Sequence, residues 1–293
     1  MFFQVLINAI SVGSVYALIA LGYNFVYGIL EQLNFAHGDV YAVGCFVTYT
    51  VYLAAGNVFV AMIAGIASAV LINLIVERFA YRPLRIKGAN RIAPTISAVG
   101  IAYIMRNGIQ LIWGPQTYRF DLNMGGDRSF QVGGLYIGIL QIWILAIAIA
   151  VMVGVSILLK KTKWGQAIIG VSQSLPTSEL MGIDVNRNIA LVYALGGAVG
   201  AIGGILFCSY YGFIYMGIGF AYGTMKAWMA TVLGGIGSTK GAIIGAMCLG
   251  ILETFVSAYI STANKDIIVW GVFILFILVR PKGLFPAEIA EKV

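Results

Sequence analysis

The chain has 293 residues, 60% of them hydrophobic and 10% charged, with a mean hydropathy of +0.94. Soluble domains carry about 25% charged residues, and a soluble fold of this length could not hide so much apolar surface, so the bilayer is its solvent. The net charge of +7 does not point to nucleic acid, because Lys and Arg gather at the ends of apolar runs and form no basic stripe with interleaved aromatics.

A hydrocarbon core about 30 Å thick requires apolar segments of about 20 residues. The first, 5–27, has no positively charged leader and outruns the about 7–15 apolar residues of a cleavable signal, so it reads as a retained span. Further spans are expected at 38–55, 58–76, 93–112, 139–159, 189–210, 220–236, 242–260 and 266–280. The expectation is an all-α polytopic membrane protein with about eight to nine transmembrane helices, forming one domain over 1–293. Segments 38–55, 220–236 and 266–280 are short and contain or adjoin glycine, as half-helices and re-entrant pieces do.

Charge sets the orientation. With the N-terminus outside, Arg78, Arg82, Arg85, Lys87, Arg91, Lys160, Lys161, Lys163, Arg187, Lys240, Arg280, Lys282 and Lys292 face the cytoplasm, 13 of the 18 basic residues. Arg119, Arg128 and Lys265 fall outside, and Lys226 and Arg106 fall within spans. The loop 28–37 becomes cytoplasmic although it has no Lys or Arg.

Within the chain, "NFAHGD" sets Asn34, His37 and Asp39 between two apolar runs. His37 is the single histidine, which leaves no second one for a metal site, and its expected role is a structural hydrogen bond beside Asp39 rather than a titrating switch. The stretch 113–138 is expected to form a small outer cap. Arg106 and Glu253 lie inside spans at similar depth, where ionisable groups pair or line a path; the two are expected to approach each other or share a polar cavity, the competing reading being that Arg106 snorkels toward Trp113.

The loop 160–188, cytoplasmic by charge, shows Ile168, Ile169, Leu175, Leu180, Met181 and Ile183. Pro176 breaks or starts a short helix there, and Gly182 sits where a helix would stop. Such apolar side chains on a soluble loop need cover, either the membrane surface or a soluble partner. Gly196, Gly200 and Gly204 stack on one helix face for close packing within the domain rather than a dimer seam. "GGIGSTKG" fails the phosphate-loop pattern because Gly241 follows Lys240, so it reads as a Gly-rich turn. Cys45, Cys208 and Cys248 fit no metal or disulfide framework and are expected to be buried. Nothing in the residues suggests a catalytic or metal site.

The stretches "GSVYALIALGYNFVYGIL", "NFAHGDVY", "ERFAYRPLR", "IWGP", "ELMGIDVNR", "ALGGAVGAIGGIL", "KAWMATVLGGIGSTKGAIIGA", "GILET" and "RPKGLF" together resemble the H-type permease subunit of branched-chain amino acid ABC importers, nearly end to end. The resemblance implies a multi-pass permease of a prokaryotic cytoplasmic (inner) membrane. It implies a second homologous permease subunit, two cytoplasmic ATPase subunits and an extracytoplasmic solute-binding protein as partners. No cofactor is expected on this chain, ATP-Mg being held by the partner subunits. The coupling role is carried onto Gln173, Ser174, Glu179, Leu180, Met181 and Gly182, with 160–188 as coupling loop. Ser174, Pro176 and Ile169 depart from the residues common there, and Lys240 replaces a usual proline. Asn34, His37, Asp39, Arg106 and Glu253 are expected to line the translocation path or its gate, with Asn34 and His37 satisfying freed backbone groups and Gly38 permitting a turn. The alternatives are an ABC permease for urea, short amides or other small polar solutes, a stand-alone secondary transporter, and a channel, for which no repeated pore ring is visible.

Overall fold

Backbone amides in hydrocarbon find no water, so an apolar chain must satisfy them within its own helices. The computed structural model describes residues 1–30, 32–90, 92–124 and 129–285; Arg91, Arg128 and Lys292, which enter the charge count, lie outside the described residues. In chain order the helices are α1 (Phe2–Leu30), α2 (His37–Ala55), α3 (Val58–Val76), a π-helical turn (Glu77–Tyr81), α4 (Arg82–Ile86) and α5 (Ile92–Trp113). They continue through α6 (Ile139–Lys161), α7 (Lys163–Gln173), α8 (Leu175–Leu180) and α9 (Val185–Tyr211). A second π turn (Gly219–Thr224), α10 (Met225–Gly234), α11 (Thr239–Tyr259) and α12 (Lys265–Val279) complete the set.

Each expected span coincides with a helix. Six of the described helices are long and apolar enough to cross a membrane by themselves. The other three expected spans fall on α5, on the π turn with α10, and on α12. The boundaries shift most at 58–76, whose helix continues through the π turn to Ile86. The protein is not purely helical. β1 (Tyr118–Arg119) pairs antiparallel with β4 (Phe213–Ile214), and β2 (Ser129–Val132) with β3 (Leu135–Gly138). These short ladders form where the described parts of 113–138 leave the helices and need other backbone partners, β1 finding its own at Phe213–Ile214.

Burial sorts the helices. The most apolar window of α1 is 72% buried and that of α9 67%, against 22% for α3 with α4 and 17% for α6. So α1 and α9 are the axis of the molecule, α1 packing on α9 and α11, while α3 and α6 present their sides to lipid. One core runs from Val12 to Phe273.

Contacts also sort the two ends. Gln32 donates to the Tyr193 hydroxyl, Arg85 to Asn186, and the backbone N–H of Gly237 to Asn24. At the opposite end Gln4 bonds Tyr136 and Gln141 donates to Asn8. The loop 28–37, which lacks Lys and Arg, therefore sits at the same end as the basic segments around 85 and 186. Cys45 and Cys208 are buried as expected, but Cys248 is exposed, because its helix face turns away from the α1–α9 axis.

Candidate translocation path and coupling segment

Two helices begin deep inside the protein. α2 starts at His37, whose ring packs beside Gly22 of α1 and Gly200 of α9, well within both long helices. The π turn that precedes α10 starts at Gly219, and a Cβ added to Gly38 would strike the Gly219 carbonyl. Gly38 has no positive φ, so the expectation of a glycine turn is corrected: its missing side chain lets two backbones touch. The break is sewn by side chains. Asn34 Oδ1 accepts from the Ala36 backbone N–H at 3.1 Å and from the Tyr81 hydroxyl at 3.0 Å. Thr224 Oγ1 accepts from the Gly38 N–H at 3.0 Å and donates to the Phe35 carbonyl at 3.1 Å.

His37 does not do this work. It is 2% exposed, neither ring nitrogen makes a well-formed hydrogen bond among the described residues, and the ring stands edge-on to Tyr23 at 5.8 Å. The expected hydrogen bond near Asp39 is absent because Arg106 occupies that carboxylate. Arg106 Nε donates to Asp39 Oδ1 at 3.3 Å and Nη2 to Oδ2 at 3.0 Å. The two-pronged contact matches a planar guanidinium to a carboxylate. The guanidinium also lies 4.8 Å from the Phe220 ring centroid and 5.5 Å from that of Tyr103. Asp39 is wholly enclosed, while the Arg106 side chain, on the same face of α5 as the buried Ala102 and Ile109, keeps 22% exposure. One cation thus joins α2, α5 and the second π turn. Arg106→Gln strands the Asp39 carboxylate and is expected to lower stability by about 3–5 kcal/mol. Asp39→Asn combined with it is expected to recover most of that loss, read as unfolding temperature in detergent; a single variant as stable as the parent sinks the assignment.

The expected approach of Arg106 to Glu253 is also corrected, since each has its own partners. Glu253 Oε2 lies 3.0 Å from Lys226 Nζ and Oε1 lies 2.8 Å from Lys265 Nζ. Tyr16 donates to Glu253 Oε2 at 3.1 Å, and Lys226 bonds Asp266 at 2.7 Å. This network ties α1, α10, α11 and α12 together. Glu253 and Lys265 also line an opening of about 320 Å³ with Asn8, Thr254 and Tyr211. Arg106 does not line it, so the shared polar cavity is not found either.

The chain matches the family described as branched-chain amino acid transport system, permease component, over residues 5–278. The chain belongs to this family. It is similar to the high-affinity branched-chain amino acid transport permease BraD of Pseudomonas aeruginosa, with 36% identity covering 100% of this chain and 98% of BraD. LivH of Escherichia coli is 37% identical over the same shares of the two chains. The probable LivH of Methanocaldococcus jannaschii is 26% identical, covering 96% of this chain and 91% of that one. The permease is a multi-pass protein of the inner membrane and a transporter subunit rather than an enzyme.

In the permease, the segment 160–188 folds as α7 and α8. Thr162 caps α7 by accepting from the Gly165 N–H. Ser174 caps α8 by accepting from the Thr177 N–H, and Pro176 sits in its first turn, where a missing N–H costs nothing. α8 then stops at Gly182, φ +79°, with the Gly182 N–H bonded to the Glu179 carbonyl and the Ile183 N–H to that of Ser178. Leu180 is 89% exposed and Met181 77%. Gln173, Glu179 and Gly182 are exposed, and Ser174 is half-buried. The expected exposure of the other apolar residues holds only for Ile169. Ile168 is buried because α7 turns that side toward α1 and α9, and Leu175 and Ile183, beyond α7, are half-buried.

The glycines of α9 face inward. A Cβ on Gly196 would meet the Gly22 carbonyl at 2.8 Å, one on Gly200 the His37 ring at 2.9 Å, and one on Gly204 the Tyr41 ring. The stripe therefore carries α9 past α1 and against the start of α2.

Proposed function

We propose that the permease forms half of the translocation path of an ATP-driven importer and passes branched-chain amino acids by alternating access. A second homologous permease supplies the other half, two cytoplasmic ATPase subunits hold ATP-Mg, and an extracytoplasmic binding protein delivers the solute. The observation that carries this reading is α8 and the residue after it, which hold Leu180 and Met181 out with nothing among the described residues covering them. It stands on the segment that leads directly into α9. Closure of the ATPase pair pushes α8, α9 transmits the push along its glycine face, and the helix starts at His37 and Gly219 shift relative to α5. Asn34, His37, Asp39 and Arg106 belong to that moving region, with the half-exposed Arg106 on the path wall. Glu253 belongs to a separate bracket near the opposite end, where it holds helices together rather than lining this wall. The permease domain is assigned to the whole of 1–293, with 160–188 as its coupling loop.

The test is reconstitution of the purified permease pair with its ATPase chains and binding protein in liposomes. Labelled leucine, isoleucine and valine are expected to accumulate only when ATP and every partner are present. Uptake driven by an ion gradient without the ATPase chains would replace the reading with a secondary transporter, and uptake of urea in place of leucine would replace the substrate.

A further inference from the structure

The basic residues at the base of α3 divide into two sets. Arg85 turns inward, its Nη2 donating to Glu77 Oε1 at 3.0 Å and to Asn186 Oδ1 at 2.8 Å. Arg78, Arg82 and Lys87 turn outward. Among the described residues none of them has a hydrogen-bonding or acidic partner. With Pro83 and Ile86 they line an open groove of about 450 Å³. Above the groove the same continuous helix exposes Leu71 at 59%, Ile75 at 46% and Phe79 at 74%. Four-residue spacing places these side chains in one stripe. Leu71 and Arg82 are eleven positions apart along this helix, which at about 1.5 Å per residue is roughly 16 Å, the depth of about one leaflet of a 30 Å core.

A lone anion would use the cations and leave the stripe idle, and a neutral lipid would use the stripe and leave three charges unanswered. An acidic protein surface would likewise leave the apolar stripe uncovered. A molecule that is anionic at one end and aliphatic along its length answers both. We infer that Arg78, Arg82 and Lys87 hold the headgroup of one anionic phospholipid, whose acyl chain lies along Phe79, Ile75 and Leu71. Guanidinium groups bond phosphate oxygens in pairs, and each basic side chain near an anionic leaflet adds attraction. The bound lipid braces the π turn and α4 from outside, while Arg85 holds the same short helix to the start of α9 from inside. The inference concerns lipid alone and stands apart from the choice of transported solute.

The experiment uses the full chain in nanodiscs of phosphatidylcholine with a minor share of phosphatidylglycerol, and native mass spectrometry of the lipids that stay bound. Phosphatidylglycerol is expected to be retained over phosphatidylcholine. Arg78→Gln, Arg82→Gln and Lys87→Gln combined are expected to lower that retention about tenfold or more. The matching triple change at Lys160, Lys161 and Lys163, the basic junction between α6 and α7, is expected to leave it unchanged. Equal retention of the two lipids overturns the proposal. So does equal loss in both triple variants, which reduces the effect to general interfacial charge, and so does displacement by soluble glycerol phosphate, which reduces it to a free-anion site. Should the first variant fail to fold, a photoactivatable phosphatidylglycerol on the unaltered chain decides: adducts are expected between Leu71 and Lys87, and adducts only elsewhere overturn the site.

Discussion

Replacing Leu180 and Met181 together with Asp is expected to abolish association of the permease with its ATPase subunits, and with it ATP-driven uptake, while leaving the chain inserted and folded. Both side chains are almost free of contact within the permease, 89% and 77% exposed, so their loss removes little internal packing. Each contributes about 1.5–3 kcal/mol when fully covered. A carboxylate buried in such a contact adds a desolvation penalty of several kcal/mol. Together these exceed about 4 kcal/mol, or roughly a thousandfold in affinity. Alanine at both positions removes only the first term, so a weaker but measurable complex is expected. Co-purification in mild detergent reads the association, and size exclusion of the permease itself reports its fold. A double Asp variant that still captures ATPase chains and supports uptake removes α8 from the coupling role.

Glu253→Gln is the second large effect, and its measure is stability. The Glu253 side chain is 3% exposed and the Lys226 side chain 4%, so the change leaves Lys226 in an apolar setting with only the half-exposed Asp266 as counter-charge. Removing one member of a buried pair costs about 3–5 kcal/mol. The unfolding temperature is expected to fall clearly, and helices α10 and α12 are expected to loosen first in hydrogen exchange. Glu253→Met with Lys226→Met removes both charges and is expected to be much less damaging than the single change. If the single variant unfolds at the parent temperature, the network does not hold these helices together.

The helical segments were legible because an apolar stretch of membrane length has one stable backbone solution. The short helix at 175–180 was legible for another local reason: Ser174, Pro176 and Gly182 are a cap, a first-turn proline and a stop within a few residues of one another. Partnerships across the bundle were not legible. Arg106 and Glu253 sit at comparable distances along their helices, which says nothing about the direction each faces. Lys226 was the available signal, a third charge within a span, and a buried acid near it needed a cation. Thr224 gave no signal, since a threonine in an apolar helix usually bonds its own backbone. His37 misled because a polar ring suggests a polar partner, whereas the ring fills the space that Gly22 and Gly200 leave open.

The bare contact between Gly38 and Gly219 constrains how a gate can be built here. With no side chain as cushion between the two helix starts, and Thr224 riveting one to the other, α2 and α10 behave as a single bent strut. Such a strut tilts as a unit or stays put. The compliant wall is then α5, held in the middle of the bundle by one arginine, and under the function proposed above it is on this side that the solute is expected to pass.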